Sequence, residues 1–465
     1  MKSLLLAFCL TLPLAAAAQW KEIPSKITTS FTNTAVAWDG KVYFTGGPLT
    51  QNVTATTYNK TLEILDLETE TISPATGGLA IGRSGIASAA HEGKLYFSGG
   101  HRWIGTTPGY LFYDAVDVYD VETDDWSLKH LSSARSACAV AVVGDKIMFA
   151  GGYLRNGNTL SFSKVVDIYE PGKDKWTYAQ LSQARGEIAA GVIGHKVWFC
   201  GGYTNWNTGA VTTRVDIYDD STGLWSTAEL SQARSAATVA TVGKYLICAG
   251  GIQQTIGYSD QVDVLDTETN EWTTDKLIAP RFGMAAATLG NKAYFTGGGH
   301  INLAISYFDS TTNVVDIFDA EEKAFSTGYL TRNRMTHSCA AWGNKIACGG
   351  GWRAEQQTTT GSVEIFTDST ISAVKTPFSA GFTISPNPVT DALTIVFSEN
   401  TAASKPSEMR VSDLSGRVLL RQKLTPGETV RPVSLQIERL PAGSYFLSVV
   451  GEGQLAGTRR FVVLR

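Results

Sequence analysis

The sequence predicts an all-β protein, a seven-bladed β-propeller followed by a small Ig-like β-sandwich, on three observations. An apolar segment runs into paired glycines seven times, at Gly46-Gly47, Gly99-Gly100, Gly151-Gly152, Gly201-Gly202, Gly250-Gly251, Gly297-Gly298 and Gly349-Gly350, with 47 to 53 residues from one pair to the next. A repeat of that period signals units that bury their faces against one another. Between the pairs lie short β-prone segments joined by turn residues, with no amphipathic period of helical length. After Thr370 the repeat stops, and six or seven short strands separated by Gly, Pro, Asp and Asn fill the remainder.

Taken in order, residues 1–18 read as an export signal: Lys2, an apolar run from Leu4 to Leu14, then small residues to Ala18. The run is too short for a bilayer span, and no later segment qualifies as a transmembrane element. The propeller is expected over 19–371. Its third unit shows the order most clearly: Arg135, the apolar run Ala137 to Val143, the turn at Gly144, Ile147 to Ala150 before the glycines, a variable loop, Val165 to Tyr169, a second turn, and Trp176 opening a last strand. Arginines recur at Arg83, Arg135, Arg185, Arg234, Arg281 and Arg334, and aromatics at Trp126, Trp176, Trp225 and Trp272, with Phe325 standing in once and Ile72 in the first unit. The last unit lacks its fourth strand. Trp20, 26 residues before Gly46 much as Trp126 lies 25 before Gly151, marks the N-terminal segment as the strand that completes it and removes the exposed edges.

The repeated residues have structural roles. Gly46, Gly99, Gly151, Gly201, Gly250, Gly297 and Gly349 allow positive φ and close backbone approach. The tryptophans supply apolar area between sheets. The third-strand aspartates, such as Asp117 and Asp167, accept backbone donors or pair with the repeated arginines, because a buried charge must be satisfied. With the Gly-Gly pair, the Tyr before an acidic turn and the Trp in this order, residues 20 to 370 resemble the kelch-repeat family, which implies one four-stranded blade per unit.

Function is expected in the loops after the glycine pairs, which vary most. They carry Trp103, Tyr110, Tyr153, Trp206, Tyr258, Tyr307 and Trp352, aromatic platforms suited to an extracellular protein or a glycan. The plain alternative is that these rings pack the loops together. A candidate pocket set is His101, Arg102, Arg155, His300, Arg353 and Glu355, with His101 and His300 approaching the central channel from different blades. No His-Glu-x-x-His or Gly-x-Ser-x-Gly motif occurs, and no cofactor, metal or catalytic residue is assigned. A binding module is the leading expectation, and a propeller enzyme of the oxidase or sugar-isomerase type acting on carbohydrate is the alternative. A net charge of -4 without a basic stripe argues against a nucleic-acid partner. Of six cysteines Cys9 leaves with the signal; the rest read as buried thiols, with Cys339 and Cys348 the pair that neighbouring antiparallel strands would bridge.

A linker over 372–381 leads into the C-terminal domain, 382–465. Its Ser385-Pro386-Asn387-Pro388, Asp413-Leu414-Ser415-Gly416-Arg417, Leu440-Pro441-Ala442-Gly443-Ser444-Tyr445 and Arg459-Arg460-Phe461-Val462-Val463 resemble the type A sorting domain of the type IX secretion system of Bacteroidetes. That resemblance implies contact with the type IX machinery and delivery to the cell surface or the medium.

Overall fold

The computed structural model describes residues 20–28, 32–49, 57–105, 109–156, 159–254, 257–302, 307–370, 382–386, 389–397, 406–412, 418–425, 431–451 and 454–464. The expected export signal and linker lie outside them. The chain divides into two compact units, Met1–Ile371 and Ser372–Arg465.

Among its described residues the first unit contains seven four-stranded antiparallel sheets. The third unit's sheet is typical, with Ala139–Val143, Lys146–Ala150, Val165–Glu170 and Lys175–Gln180 side by side in chain order. First strands are rich in Ala, Val, Thr and Ser, as in Ala-Ser-Ala-Ala at 87–90, because they crowd one another. Each packs on the next, and Ser338–Trp342 packs on Thr34–Trp38, so the ring of sheets is closed. In the last sheet the fourth strand is Trp20–Lys26, antiparallel to Ser362–Thr367, with Trp20 opposite Phe366 and their ring centroids 5.4 Å apart. Trp126, Trp176, Trp225 and Trp272 hold the same register position opposite Tyr119, Tyr169, Tyr218 and Leu265. Trp126 also donates its indole N–H to the Thr76 carbonyl of the preceding unit, which shows the aromatics bridging sheets.

The glycine pairs form the seams. Gly151 and Gly152 have φ of 62° and 104°, and Gly152 N–H donates to the Arg185 carbonyl of the next unit at 2.9 Å. A Cβ on Gly151 would sit 2.5 Å from that same carbonyl oxygen, so only glycine admits the contact. The pattern recurs from Gly47 to Arg83, Gly100 to Arg135, Gly202 to Arg234, Gly251 to Arg281 and Gly298 to Arg334. One expectation needs correction. Gly349 ends the strand Lys345–Gly349 opposite Ser338, and the positive-φ pair is Gly350-Gly351, at 75° and 105°. Three consecutive glycines made the pair ambiguous by one residue.

Each arginine whose carbonyl seats a glycine pair buries its guanidinium inside its own sheet. Arg83 meets Asp117 and Arg185 meets Asp216 at 2.7 Å, Arg334 meets Glu364 at 2.6 Å, and Arg135, Arg234 and Arg281 meet Asp167, Asp263 and Asp316. The second carboxylate oxygen accepts a backbone N–H of the connecting loop, Ser182 for Asp216 and Ala80 for Asp117. Both expected roles of the aspartates are thus met at once. The first unit has no arginine between Lys26 and Lys41; there Glu63 accepts the Thr28 N–H at 2.7 Å. Cys339 and Cys348 face each other across neighbouring strands and form a disulfide, whereas Cys138, Cys200 and Cys248 are buried thiols.

The second unit has a three-stranded sheet, Phe382–Ser385, Ala392–Phe397 and Val433–Gln436, and a four-stranded one built from Val418–Lys423, Pro406–Ser412, Gly443–Gly451 and Gln454–Val463. Leu393, Ile395, Val411, Leu447, Val449 and Phe461 are fully buried between them.

Two outcomes follow from this architecture. Asp216→Ala leaves the Arg185 guanidinium buried with Nε and Nη1 already lacking partners among the described residues, and should cost about 3–5 kcal/mol in urea unfolding. Trp20→Ala should cost a similar amount, roughly 3–5 kcal/mol, and expose the edge of the last sheet, which gel filtration under dilute urea would register as self-association.

Candidate functional site

The loop after each glycine pair folds into its own small hairpin. Those described are His101–Trp103 with Tyr110–Phe112, Tyr153–Asn156 with Thr159–Phe162, Tyr203–Asn205 with Ala210–Val211, Ile252–Gln253 with Gly257–Tyr258, Gly299–Asn302 with Tyr307–Thr311, and Trp352–Arg353 with Thr358–Thr359. The first unit's loop lies largely outside the described residues. Single bridges tie the start of each hairpin to the residue after the buried arginine, as Ser84 to His101, Ser136 to Tyr153 and Gly186 to Tyr203. The next residue along, two after the arginine, has positive φ throughout: Gly85, Ala137, Glu187, Ala236, Gly283 and Thr336, joined by Thr32 in the first unit. Several are linked from unit to unit through the backbone, Ala137 N–H to Gly85 O, Ala236 N–H to Glu187 O, Thr336 N–H to Gly283 O and Thr32 N–H to Thr336 O. They form a collar at the head of the innermost strands.

Six collar residues are Gly, Ala or Thr; the seventh is Glu187. Its φ of 52° is a conformation an L side chain resists, at a cost of roughly 1–2 kcal/mol. Beside it opens a cavity of about 200 Å³ between three hairpins, walled by His101, Tyr110 and Phe112 from the second unit, Tyr153 and Leu160 from the third and Trp206 from the fourth. The rings brace one another. Tyr153 and Trp206 meet edge-on at 5.7 Å, His101 and Tyr110 edge-on at 5.1 Å, and His101 lies 6.2 Å from Phe112. His101 Nδ1 is 2.8 Å from the Ser136 hydroxyl, which orients the imidazole.

The electrostatics are those of a carboxylate in an aromatic enclosure. Burial raises the Glu187 pKa, opposed only by the nearby Tyr153 hydroxyl. Burial also raises the Tyr153 pKa, with the Glu187 charge adding to it, and pushes His101 down to about 4. The Tyr153 hydroxyl interacts with the Glu187 carboxylate, and among the described residues no other donor reaches the buried Glu187 Oε2. At neutral pH the imidazole is uncharged, so the cavity holds one ionisable acid and no cation.

The expected site residues separate into three groups. Tyr110, Tyr153, Trp206 and His101 come together at the cavity. Trp103 lies outside it, edge-on to Tyr110 at 4.9 Å, with Arg102 over the Tyr58 ring and Arg155 donating to the Tyr110 carbonyl. The others serve packing on the far side of the ring. Tyr258 stacks on His300 at 4.6 Å and on Phe282, the His300 Nε2 donates to the Pro280 carbonyl, and Trp352 is buried against Phe282 and Met335. Glu355 accepts from Thr311 and Asn333, while Arg353 donates to Gln356. The Tyr307 side chain lies outside the described residues. His101 and His300 are therefore not brought together: each is held by the hairpins of its own neighbourhood. Glu187, Phe112 and Leu160 were absent from the expected set. One signal was available for Glu187: Arg-Ser-Gly, Arg-Ser-Ala and Arg-Phe-Gly become Arg-Gly-Glu at 185–187.

His337 approaches the Cys339–Cys348 disulfide, its Nε2 2.8 Å from the Thr296 hydroxyl. The disulfide ties up both sulfurs that would otherwise serve as thiolate ligands.

Comparison with known proteins agrees with the two-part architecture. The kelch motif matches residues 134–180 and 233–274, and the secretion system C-terminal sorting domain matches residues 383–464. No curated protein sequence matches. Among solved structures, YjhT is similar at 16% identity and a TM-score of 0.47, over 62% of this chain and 94% of that one. The chain thus carries kelch motifs within its ring of four-stranded sheets and, at its C-terminus, a match to the sorting domain of the type IX secretion system. That domain assigns it to type IX export, to the cell surface or the extracellular space, and implies contact with the secretion machinery. No helix among the described residues is long and apolar enough to cross a membrane.

If Glu187 is held at the collar against its own preference, Glu187→Gly, which restores the residue of the second and sixth units, should stabilise the propeller by about 1 kcal/mol or more, read as a rise in the thermal midpoint.

Proposed function

We propose that the propeller is a secreted or surface-displayed binding module that holds an extracellular protein or glycan on its hairpin face. One observation carries the reading: the cavity beside Glu187, where aromatic rings from three units converge although the fold requires none of them there. At about 200 Å³ it has room for one side chain or one sugar ring, not for an extended ligand. Trp206 at its rim is 53% exposed, a large ring left in water by the free protein and suited to be covered in a complex.

A second reading has a specific observation in its favour. Glu187 with a raised pKa and His101 with a lowered one share the cavity, a pairing suited to general acid and base roles on a carbohydrate. The two readings part on turnover: a binding module returns its ligand unchanged, and an isomerase or oxidase does not.

The full chain should be screened on glycan and peptide arrays, with hits followed by tryptophan fluorescence and by analysis of the recovered ligand. Trp206→Ala should weaken binding about tenfold or more while leaving the melting curve unchanged, because the ring lies outside the blade cores. A true ligand held equally well by the variant would remove this face from consideration.

A further inference from the structure

We propose that the Glu187 cavity takes an organic ammonium group carried on an apolar stem, a lysine side chain of a protein partner. The inference rests on the reading of the propeller as a binding module and names the chemistry of its ligand. A buried carboxylate stands there whose neighbouring donor among the described residues is the uncharged Tyr153 hydroxyl. Among the described residues that line the cavity none is a cation; Tyr153 and Tyr203 interact with the carboxylate, and they, Tyr110 and His101 are uncharged at neutral pH. Around the carboxylate stand ring faces and edges of Tyr153, Trp206 and Tyr110, which attract a cation through their quadrupoles. A buried charge left without a counter-charge is unfavourable, and an entering ammonium supplies what the fold withholds.

The rest of the lining selects what the ammonium is attached to. Phe112 and Leu160 offer only carbon, which suits a methylene stem. A sugar ring presents hydroxyls around its whole edge, and the lining has too few polar groups to receive them. The collar adds a comparison: the other six units place Gly, Ala or Thr in this left-handed position, and here it carries a carboxylate.

The test uses the full chain and isothermal titration with n-pentylammonium, 1-pentanol, Nα-acetyl-lysine methylamide and glucosamine. The amine and the lysine derivative should bind at least tenfold more tightly than the alcohol. Binding should weaken as pH is lowered, because burial raises the Glu187 pKa and protonation removes its charge while both ligands stay cationic. Glu187→Gln and Glu187→Gly should each abolish the preference for the amine; the pair guards against a variant that fails to fold, and melting curves identify one that does. Equal binding of amine and alcohol, or a preference that survives both substitutions, overturns the proposal. Glucosamine binding without lysine binding overturns the lysine stem. Failure of every amine while array hits remain sensitive to Trp206→Ala sinks this inference alone; loss of the array hits as well sinks the binding reading with it.

Discussion

Everything in the propeller hangs on one residue used twice, the arginine that opens each unit after the first. Its carbonyl receives the glycine pair of the preceding unit, and its guanidinium is buried against the carboxylate of its own third strand. The main chain thus makes the seam between sheets while the side chain fixes the position of that main chain. Neither half works alone. A carbonyl not anchored from behind would let the sheets slide, and a guanidinium without its carboxylate would be an uncompensated charge in the core. The glycines then follow as a steric necessity, because a Cβ cannot stand 2.4 Å from the Arg135 carbonyl oxygen, as one on Gly99 would.

The ring's ends obey a different rule. The first unit has no arginine, and its Glu63 instead receives the Thr28 amide from the segment that follows the N-terminal strand. Trp20 meanwhile takes the place opposite Phe366 that tryptophans hold in other units. The segment that closes the last sheet is therefore also the one that reaches the carboxylate of the first, and closure joins the two ends through one short stretch of chain. A ring built this way resists opening at its joint because the joint is continuous with both neighbours.

Much of this architecture was legible in the sequence because repetition averages out local ambiguity: the glycine pairs, the arginines, the aspartates and the closing Trp20 each recur or complete a recurrence. Where repetition was locally blurred, as in Gly349-Gly350-Gly351, the register slipped by one. The site was less legible for the opposite reason. Loop aromatics could be singled out, but whether a ring packs, as Tyr258 and Trp352 do, or faces a cavity, as Tyr153 and Trp206 do, depends on which hairpins lean together. His101 and His300 had equivalent-looking positions, and only the lengths and pairings of separate hairpins put them in different surroundings.

Glu187 shows how function can be read from a repeat. Six units fill this position with Gly, Ala or Thr, so its left-handed backbone does not call for a carboxylate. The left-handed backbone is shared with Ala137, Ala236, Thr336 and Thr32, so what sets Glu187 apart is the desolvation of its carboxylate. A desolvated carboxylate among small or neutral counterparts is what the proposed ligand contact would account for. In a single-domain enzyme the same glutamate would be one polar residue among many. In a ring of near-copies the other six collar positions act as controls, and the departure from them is itself the observation.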